Sequence, residues 1–304
     1  MSSSTHLPSA IENRKSIITK SILQWYRLHQ RTLLWRNTRN PYRILVSEIM
    51  LQQTQVSRVL IKYPEFLKRF PSFASLADST PAEIIRAWRG MGYNNRALRL
   101  RQVAITVTND FHGRLPHDIE ALQQLPGIGK YTAHAVACFA FEQQVPVVDT
   151  NIRRILRRVY GSKTNHIDDW QLAMLSLPRR RAYDWNQALM DLGAMVCTAS
   201  NPDCTNCPTQ QNCTSAYRVR RIHRTKAAST KIIPDRIYRG KIIELLRNTN
   251  EHHPLELQKL GKQIKENFAL SDTHWIETLA LRLQRDGLVA IAIKRKTIFL
   301  SLPR

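Results

Sequence analysis

Four cysteines in one short run constrain this chain more than any other feature of its sequence. Cys197, Cys204, Cys207 and Cys213 follow the spacing C-x6-C-x2-C-x5-C. Thiols this close together, in a chain expected to lie inside the cell, indicate a metal or cluster site rather than disulfides. Zinc ribbons use two C-x2-C pairs and this run has one, so its spacing favours a [4Fe–4S] cluster over zinc. Cys138 lies in an apolar stretch and is expected to pack in the core.

The charge balance points to a polyanionic partner. The 304 residues include 46 Lys and Arg against 23 Asp and Glu, a net charge of +23. Each phosphate that such a surface neutralises releases a counterion, which favours nucleic acid as the partner. Charge alone leaves open a ribosome-like protein, a membrane-surface protein and a DNA enzyme.

The sequence contains no apolar run that could span a bilayer. Residues 1–12 are Ser-rich and lack the apolar centre of a signal peptide. We therefore expect an intracellular, cytoplasmic and nucleoid-associated protein that acts as a monomer and makes no membrane contact.

The pattern along the chain predicts four segments. A disordered tail covers residues 1–13, and a mainly α-helical body covers 14–217, where apolar residues recur at helical spacing. Within that body, Thr80 before Pro81, with Glu83 three residues after Thr80, predicts a helix N-cap with proline at the first helical position. Residues 218–231 read as a basic linker. Residues 232–304 suit a small winged-helix-like domain, because three helices (236–247, 255–266 and 272–285) precede two strands (288–293 and 297–302).

A glycine-containing turn at residues 125–132 (LPGIGKYT) precedes an Ala-rich helix. Gly127 and Gly129 allow a tight turn, and the backbone amides near Lys130 could point at one DNA phosphate at the helix N-terminus. This arrangement is typical of a helix-hairpin-helix, which we favour over a plain connecting turn.

Asp149 directly follows an apolar run and precedes four arginines at 153, 154, 157 and 158. Two interpretations stay open for it, a side chain facing a cleft and an ordinary helix N-cap. The arginines are either a solvated face or contacts to phosphate.

Taken together, residues 30 to 217 resemble the helix-hairpin-helix DNA glycosylase superfamily with an iron–sulfur cluster, and most closely the MutY-type adenine glycosylases. The resemblance rests on short motifs: LWR at 34–36, SEIMLQQTQV at 47–56, GY at 92–93, the hairpin, VVDTN at 147–151, WNQA at 185–188 and MDLGA at 190–194. It implies a two-lobed helical fold that binds double-stranded DNA with a mispaired base and releases the adenine.

The resemblance also implies roles for individual residues. Glu48 matches the general acid and base, and Asp149 the carboxylate that stabilises the sugar cation, in keeping with the two-carboxylate chemistry of glycoside hydrolysis. Tyr131 and Asn151 match residues that orient these carboxylates, and Trp35, Arg36 and Asp191 match residues that line the adenine pocket. Gln53 and Tyr93 match side chains that enter the base stack and fill the space a flipped base leaves. Thr54 is expected to contact DNA together with Gly127, Gly129 and Lys130 of the hairpin.

Position 131 bears on the activity, and adenine removal has two alternatives at this stage, thymine or uracil removal and DNA binding without catalysis. Endonuclease III-like enzymes carry a nucleophilic lysine where this chain has Tyr131, so we expect base removal without lyase chemistry. Tyr131 also suits thymine or uracil mismatch glycosylases, although these generally lack the Gln52-Gln53 pair. A DNA-binding protein that has lost catalysis is a third possibility, but it would have no need for both carboxylates.

The last segment departs from the MutY pattern. Residues 232–304 do not resemble the Nudix-like domain that reads 8-oxoguanine, so the preferred opposite base is open. A winged helix would bind a DNA or protein partner instead. Lys259, Lys262 and Lys265 are candidate contacts there, or an ordinary solvated helix face.

Overall fold

The computed structural model describes residues 9–161, 164–218, 233–249 and 253–304, with the side chains of residues 9–13 left aside. These residues form two compact units. The first contains described residues 9–44, 117–123, 128–161 and 164–218, and the second contains 45–116, 124–127, 233–249 and 253–304. The predicted segment boundaries stay a prediction.

The described chain is mainly helical, which confirms the predicted fold class. Its helices are α1 (Ser9–His29), α2 (Pro41–Leu51), α3 (Val56–Arg69), α4 (Phe73–Ala77), α5 (Pro81–Ala87), α6 (Asn95–Asp110), α7 (Ile119–Gln124), α8 (Lys130–Phe139), α9 (Thr150–Tyr160), α10 (Asp169–Ser176), α11 (Ala182–Met195), α12 (Asp235–Arg247), α13 (Leu257–Ile264) and α14 (Thr273–Arg285). Short 3₁₀ turns lie at Leu34–Asn37, Gln210–Asn212 and Leu270–Asp272. The strands are β1 (Leu255–Glu256), β2 (Ala290–Lys294) and β3 (Thr297–Ser301).

The core of the first unit is built by α1, α9 and α11. The apolar side of α9 contributes Ile152, Ile155 and Val159, all under 4% exposed, at the i, i+3, i+7 spacing of one helix face. Trp185 of α11 is buried in the same cluster. This packing fixes the N-terminal end of α9, where Asp149 lies.

In the second unit, α3 to α6 pack around Trp88, which is completely buried against Phe66. The start of α5 follows from local sequence, because Thr80 accepts from the backbone N–H of Glu83 and the Glu83 carboxylate accepts from the N–H of Thr80. A reciprocal capping box of this kind satisfies two helix-end donors. The N-cap at Thr80, with Pro81 at the first helical position, is the helix start that the sequence predicts.

The C-terminal segment has the three helices and the two-stranded hairpin expected of it, but residues 255–256, predicted as the start of the second helix, form a third strand, β1. The strands pair antiparallel in the order β1-β3-β2, with Ile291 opposite Leu300. Its core is continuous with the helices before it, since Ala82 and Ile85 of α5 belong to the same buried cluster as Leu246 and Leu300. In addition, the buried guanidinium of Arg247 donates from Nε to the carbonyl of Ile85.

The N-terminal helix is longer than expected. It begins at Ser9, so residues 9–13 are helical rather than disordered. Residues 1–8 and the predicted linker beyond residue 218, through residue 231, lie outside the described residues. Within the described ranges, no helix combines the length and the apolar character that crossing a membrane requires.

Candidate functional site

Glu48 lies in α2, and its residue is only 5% exposed. Leu45, Val46, Ile49 and Met50 on the same helix are buried as well, so Glu48 is a carboxyl withdrawn from solvent on a largely buried helix. The last turn of α2 is held by Arg96, whose Nη1 donates to the carbonyl oxygens of Ile49 at 2.9 Å and Met50 at 3.1 Å. The helix end that positions Glu48 is therefore anchored to α6.

Asp149 is the N-cap of α9, one of the two interpretations that the sequence left open. Its Oδ1 accepts from the N–H of Ile152 at 2.7 Å, and its Oδ2 accepts from the Asn151 side-chain amide at 2.9 Å. Both carboxylate oxygens are thus oriented, and Asn151 makes the contact expected of it. Capping and a catalytic role do not exclude each other, because a half-buried carboxylate retains lone pairs after two hydrogen bonds.

Gly193 on α11 gives Asn151 its space. A Cβ at position 193 would lie 2.8 Å from the Cβ of Asn151 and 3.2 Å from the Cδ1 of Ile155. Contacts this short require a neighbour to move, so the glycine permits close approach of α11 to the start of α9.

The residues expected to line a base pocket form a buried ion-pair network. Arg36 donates from Nη1 to Asp191 Oδ2 at 2.8 Å and from Nη2 to Asp191 Oδ1 at 2.7 Å. Arg31 adds bonds from Nε at 2.7 Å and from its backbone N–H at 3.0 Å. Trp35, beside Arg36, is 6% exposed. Asp191 therefore anchors Arg36 and Arg31, and contact with a base stays a prediction.

Electrostatics in this network follow from its geometry. Burial alone would raise the pKa of Asp191, but hydrogen bonds and charge from Arg36, with those from Arg31, outweigh it and lower the pKa. Burial likewise opposes the charge of Arg36, yet Asp191 raises the pKa of that guanidinium above its ordinary value. Asp191 and Arg36 are both charged at neutral pH, and each buried charge is stabilised by the other.

Gln53 and Tyr93, the two side chains expected to enter a base stack, share an unusual backbone conformation. Both are non-glycine residues in the left-handed region, with φ of 53° at Gln53 and 45° at Tyr93. Both are exposed, Tyr93 to 58%. Non-glycine residues adopt this region rarely, and only where surrounding contacts hold them there.

The contacts that hold these turns centre on Thr54 and Arg96. Thr54 Oγ1 accepts from Arg96 Nη2 at 3.0 Å and lies 3.4 Å from the carbonyl oxygen of Met91, to which it donates. The buried Trp88 closes the second turn by donating from Nε1 to the carbonyl of Gly92 at 3.1 Å. Nothing in the sequence pattern singled out Arg96, or Arg31 in the Asp191 network.

The two hairpin glycines have different roles. Gly127 has φ of 76°, where a side chain would be strained, and its Cβ would lie 2.9 Å from Arg99 Cδ. Gly129 has φ of −87° and is the N-cap of α8. Because the cap has no side chain, it supplies no acceptor for the first amides of α8, as an anion site at a helix N-terminus requires.

Lys130 and the α9 arginines, which are candidate contacts to DNA, also bind groups within the protein. The Lys130 ammonium lies 4.3 Å from the centroid of the Trp170 ring. The α9 arginines also bind their own chain: Arg153 and Arg157 pair with Asp169 at 2.7 Å, and Arg154 donates to the carbonyl of Cys197. These arginines therefore organise the first unit, whatever further contacts they make.

The four cysteines of the run line one cavity, together with apolar side chains of Ile155, Val159 and Leu192. Arg158 Nη1 donates to Cys197 Sγ at 3.4 Å, and the backbone N–H of Tyr217 donates to Cys204 Sγ at 3.5 Å. Burial raises the pKa of the Cys207 and Cys213 thiols, and neighbouring cysteines raise it further.

The donor set of this cavity, four thiols, is compatible with the predicted [4Fe–4S] cluster. In the described ranges, no three or more His, Cys, Asp or Glu side chains converge tightly enough to hold one metal ion. The thiols instead surround a shared space, and two of their sulfurs already accept hydrogen bonds of the kind that stabilise ligating thiolates.

Comparison with known proteins agrees with this arrangement. Residues 46–175 match the family described as HhH-GPD superfamily base excision DNA repair protein. The chain is 42% identical over 206 residues to an adenine DNA glycosylase of Mycobacterium tuberculosis, covering 66% of this chain and 68% of that protein. It is 41% identical over 251 residues to an adenine DNA glycosylase of Mycolicibacterium smegmatis, covering 77% and 82%.

A solved structure is similar over a comparable share of the chain. The structure of a thermostable thymine-DNA glycosylase superposes with a TM-score of 0.65 at 32% identity, covering 69% of this chain and 99% of that one. The similarity therefore extends over almost the whole of that glycosylase.

Proposed function

Because the chain belongs to the HhH-GPD superfamily of base excision DNA repair proteins, we propose that it is a monofunctional DNA glycosylase that removes adenine mispaired with 8-oxoguanine or guanine. The observation that carries adenine as the substrate is the 41% identity to an adenine DNA glycosylase over 82% of that protein. The oriented carboxylate of Asp149 and the buried carboxyl of Glu48 supply the chemistry.

The proposed reaction divides the work between the two carboxyl groups. Glu48 protonates the leaving adenine and then activates water, and Asp149 stabilises the oxocarbenium-like sugar as the N-glycosidic bond breaks. Asp149 suits this role because the Asn151 amide and the Ile152 N–H fix both of its oxygens before substrate binds. A carboxylate fixed in advance needs no reorganisation as positive charge develops on the sugar.

Strand cleavage by lyase chemistry is not part of the proposal. A Schiff base needs an amine at the sugar, and position 131 is a tyrosine. The neighbouring Lys130 is held over the Trp170 ring, which occupies its ammonium. Tyr131 is half-buried in the first turn of α8, where it is proposed to support the carboxylates.

Base flipping is assigned to the exposed side chains of Gln53 and Tyr93. A base that leaves the stack leaves a gap, and side chains that enter it offset the cost of unstacking. Thr54 and the hairpin amides after Gly127 and Gly129 complete the proposed DNA contacts. Trp35, Arg36 and Asp191 are proposed to form one wall of the base site.

We also propose that Cys197, Cys204, Cys207 and Cys213 hold a [4Fe–4S] cluster. When bound, such a cluster would cross-link the loop that carries the four thiolates to the core of the first unit, which Cys197, Cys207 and Cys213 contact. The protein is proposed to act as an intracellular monomer on duplex DNA.

The C-terminal segment is proposed to bind a duplex or protein partner. The side chain of its candidate Lys259 is 76% exposed, so its ion pair with Glu256 is weak. Lys262 is also exposed, whereas Lys265 is paired with Asp272. Charge reversal at Lys259 and Lys262, Lys→Glu at both, should weaken duplex binding; unchanged affinity would leave protein as the partner.

A substrate panel tests the proposal. The protein is incubated with duplexes carrying A:8-oxoG, A:G, T:G or U:G, and hot alkali then cleaves any abasic strand. Alkali-dependent cleavage at adenine supports the proposal. The 32% identity to a thymine-DNA glycosylase makes thymine the second candidate, so cleavage confined to T:G or U:G would replace adenine with a pyrimidine.

A further inference from the structure

Two separate turns of the second unit place a non-glycine residue in the left-handed region. One follows α2 and contains Gln53, and the other precedes α6 and contains Tyr93. Non-glycine residues in this region are strained and persist only where neighbouring groups hold them. The structure must therefore contain groups that hold both turns.

The group that does so is the guanidinium of Arg96. Its Nη1 donates to the carbonyls of Ile49, Met50 and Gln52, at the end of α2 and in the first turn. Its Nη2 donates to Thr54 Oγ1 at 3.0 Å, and to the second turn at the carbonyls of Met91, at 3.0 Å, and Gly92, at 3.2 Å.

Arginine is the one side chain suited to this position. A planar guanidinium presents its donors in a fixed fork, so contacts on one edge constrain those on the other. Among the described residues, the hydrogen-bond acceptors of Arg96 are all uncharged oxygens, and its buried Nε has no hydrogen-bond partner. The rings of Trp88 and Tyr93 lie 5.5 and 5.7 Å from the guanidinium carbon, and burial lowers the pKa of Arg96 to about 10. Burial of a charge that has only neutral acceptors is unfavourable in free energy. We attribute the burial of Arg96 to its contacts, which fix the two turns together.

We propose that Arg96 is a positioning residue that holds the Gln53 and Tyr93 turns at one separation, so that both side chains enter the base stack together. The inference rests on the proposed function, because it takes base flipping as the activity. Arg96 also ties these turns to the last turn of the helix that carries Glu48. Unstacking of the base and the position of the Glu48 carboxyl therefore both depend on the Arg96 side chain.

The test compares Arg96→Lys with Arg101→Lys. Lysine keeps the charge but loses the planar fork. Arg101 lies on the same helix and also donates to a backbone carbonyl, that of Ser79 at 2.7 Å, away from both turns. Both variants are made in the full chain and checked for folding by circular dichroism and thermal unfolding.

The readout is the fluorescence of 2-aminopurine placed beside an abasic-site analogue in a duplex, which reports unstacking without any base release. We expect Arg96→Lys to lose most of the fluorescence increase on binding, and Arg101→Lys to keep it. Single-turnover base release should fall by about 10- to 100-fold in Arg96→Lys, since misplacement by about 1 Å costs on the order of 10²-fold.

A double-variant background separates positioning from general stability. In a chain that carries Gln53→Ala and Tyr93→Ala, Arg96→Lys should cause no further loss of fluorescence. Equal behaviour of Arg96→Lys and Arg101→Lys, or a further loss in that background, would overturn the inference. If Arg96→Lys does not fold, Thr54→Val removes one acceptor of the network and is put through the same comparison.

Failure of the proposed function is distinguishable from failure of this inference. A wild-type chain that releases no adenine but still unstacks 2-aminopurine refutes the substrate and leaves the positioning role to be judged on fluorescence. A wild-type chain that releases adenine, together with an unaffected Arg96→Lys, refutes the positioning role alone.

Discussion

Substitution of Asp191 by Asn should destabilise the protein strongly, although it hardly changes volume. The Asp191 side chain is 0% exposed, and its partners Arg36 and Arg31 are 7% and 27% exposed. Asn keeps one acceptor oxygen but removes the charge, which leaves a buried guanidinium without a counter-ion. Breaking a buried ion pair from one side costs about 3–5 kcal/mol.

That magnitude is measurable by thermal unfolding. At about 2–4 °C per kcal/mol for domains of roughly 150–250 residues, the expected fall in Tm is roughly 6–20 °C. Asp184→Asn is the matched control, because Asp184 pairs with Arg181 three residues away and the two side chains are 41% and 39% exposed. Exposed pairs contribute about 0–1 kcal/mol, so this control should unfold near the wild-type temperature.

The pH dependence of the Tm difference distinguishes loss of the Asp191 charge from a change in packing, because a packing change would not depend on pH. Because the pKa of Asp191 is lowered in the folded state, its contribution is fully present above the unfolded carboxyl pKa, about 3.9. It is lost as pH falls through the folded value. The Tm difference between wild type and Asp191→Asn should therefore be constant near neutral pH and shrink below about pH 4. A loss no larger than that of Asp184→Asn would refute the reasoning, as would one that persists in acid.

Three further outcomes are expected. Gly193→Ala should slow base release and lower stability by about 1–3 kcal/mol, because the new Cβ would lie 2.8 Å from that of Asn151 and displace the partner of Asp149; unchanged kinetics would contradict this. Purified protein should be brown and contain iron and sulfide, and Cys204→Ser should lose both; a colourless, zinc-loaded protein would rule out the cluster. Nicked product should require alkali, and borohydride should trap no covalent DNA adduct, whereas an adduct would reveal an amine nucleophile.

The elements predicted best from the sequence are those with local signals. The start of α5 follows from Thr80, Pro81 and Glu83 within four residues, and Asp149 caps α9 as a polar residue at that position should. The C-terminal elements also follow from pattern, since α12 and α14 each match the expected range within one residue at either end.

What sequence reasoning missed depends on partners far apart in the chain. Arg31 and Arg36 meet Asp191 across about 155 to 160 positions, and Arg96 reaches the end of α2 across 46 or 47. Charge patterning also left two interpretations of the α9 arginines, because the carbonyls and carboxylate that bind them belong to other segments. Periodicity indicates which face is buried but carries no information on which distant polar group lies there.

The functional assignment came from motifs rather than from physical pattern alone. A buried glutamate and a capping aspartate are each common in proteins. Their chemical roles follow only from the residues around them, in the motifs SEIMLQQTQV at 47–56 and VVDTN at 147–151. The structure adds the contacts that make those roles physically plausible, above all the two hydrogen bonds that fix Asp149.

The most direct test of the account is single-turnover release of adenine from an A:8-oxoG duplex by Glu48→Gln. Loss of a general acid should lower the rate by about 10²–10⁴-fold while the Kd for the duplex stays unchanged. Glu65→Gln makes the same substitution at a side chain that is 56% exposed and should release adenine at the wild-type rate. Release by Glu48→Gln at the rate of Glu65→Gln would contradict the assignment of Glu48 as the acid.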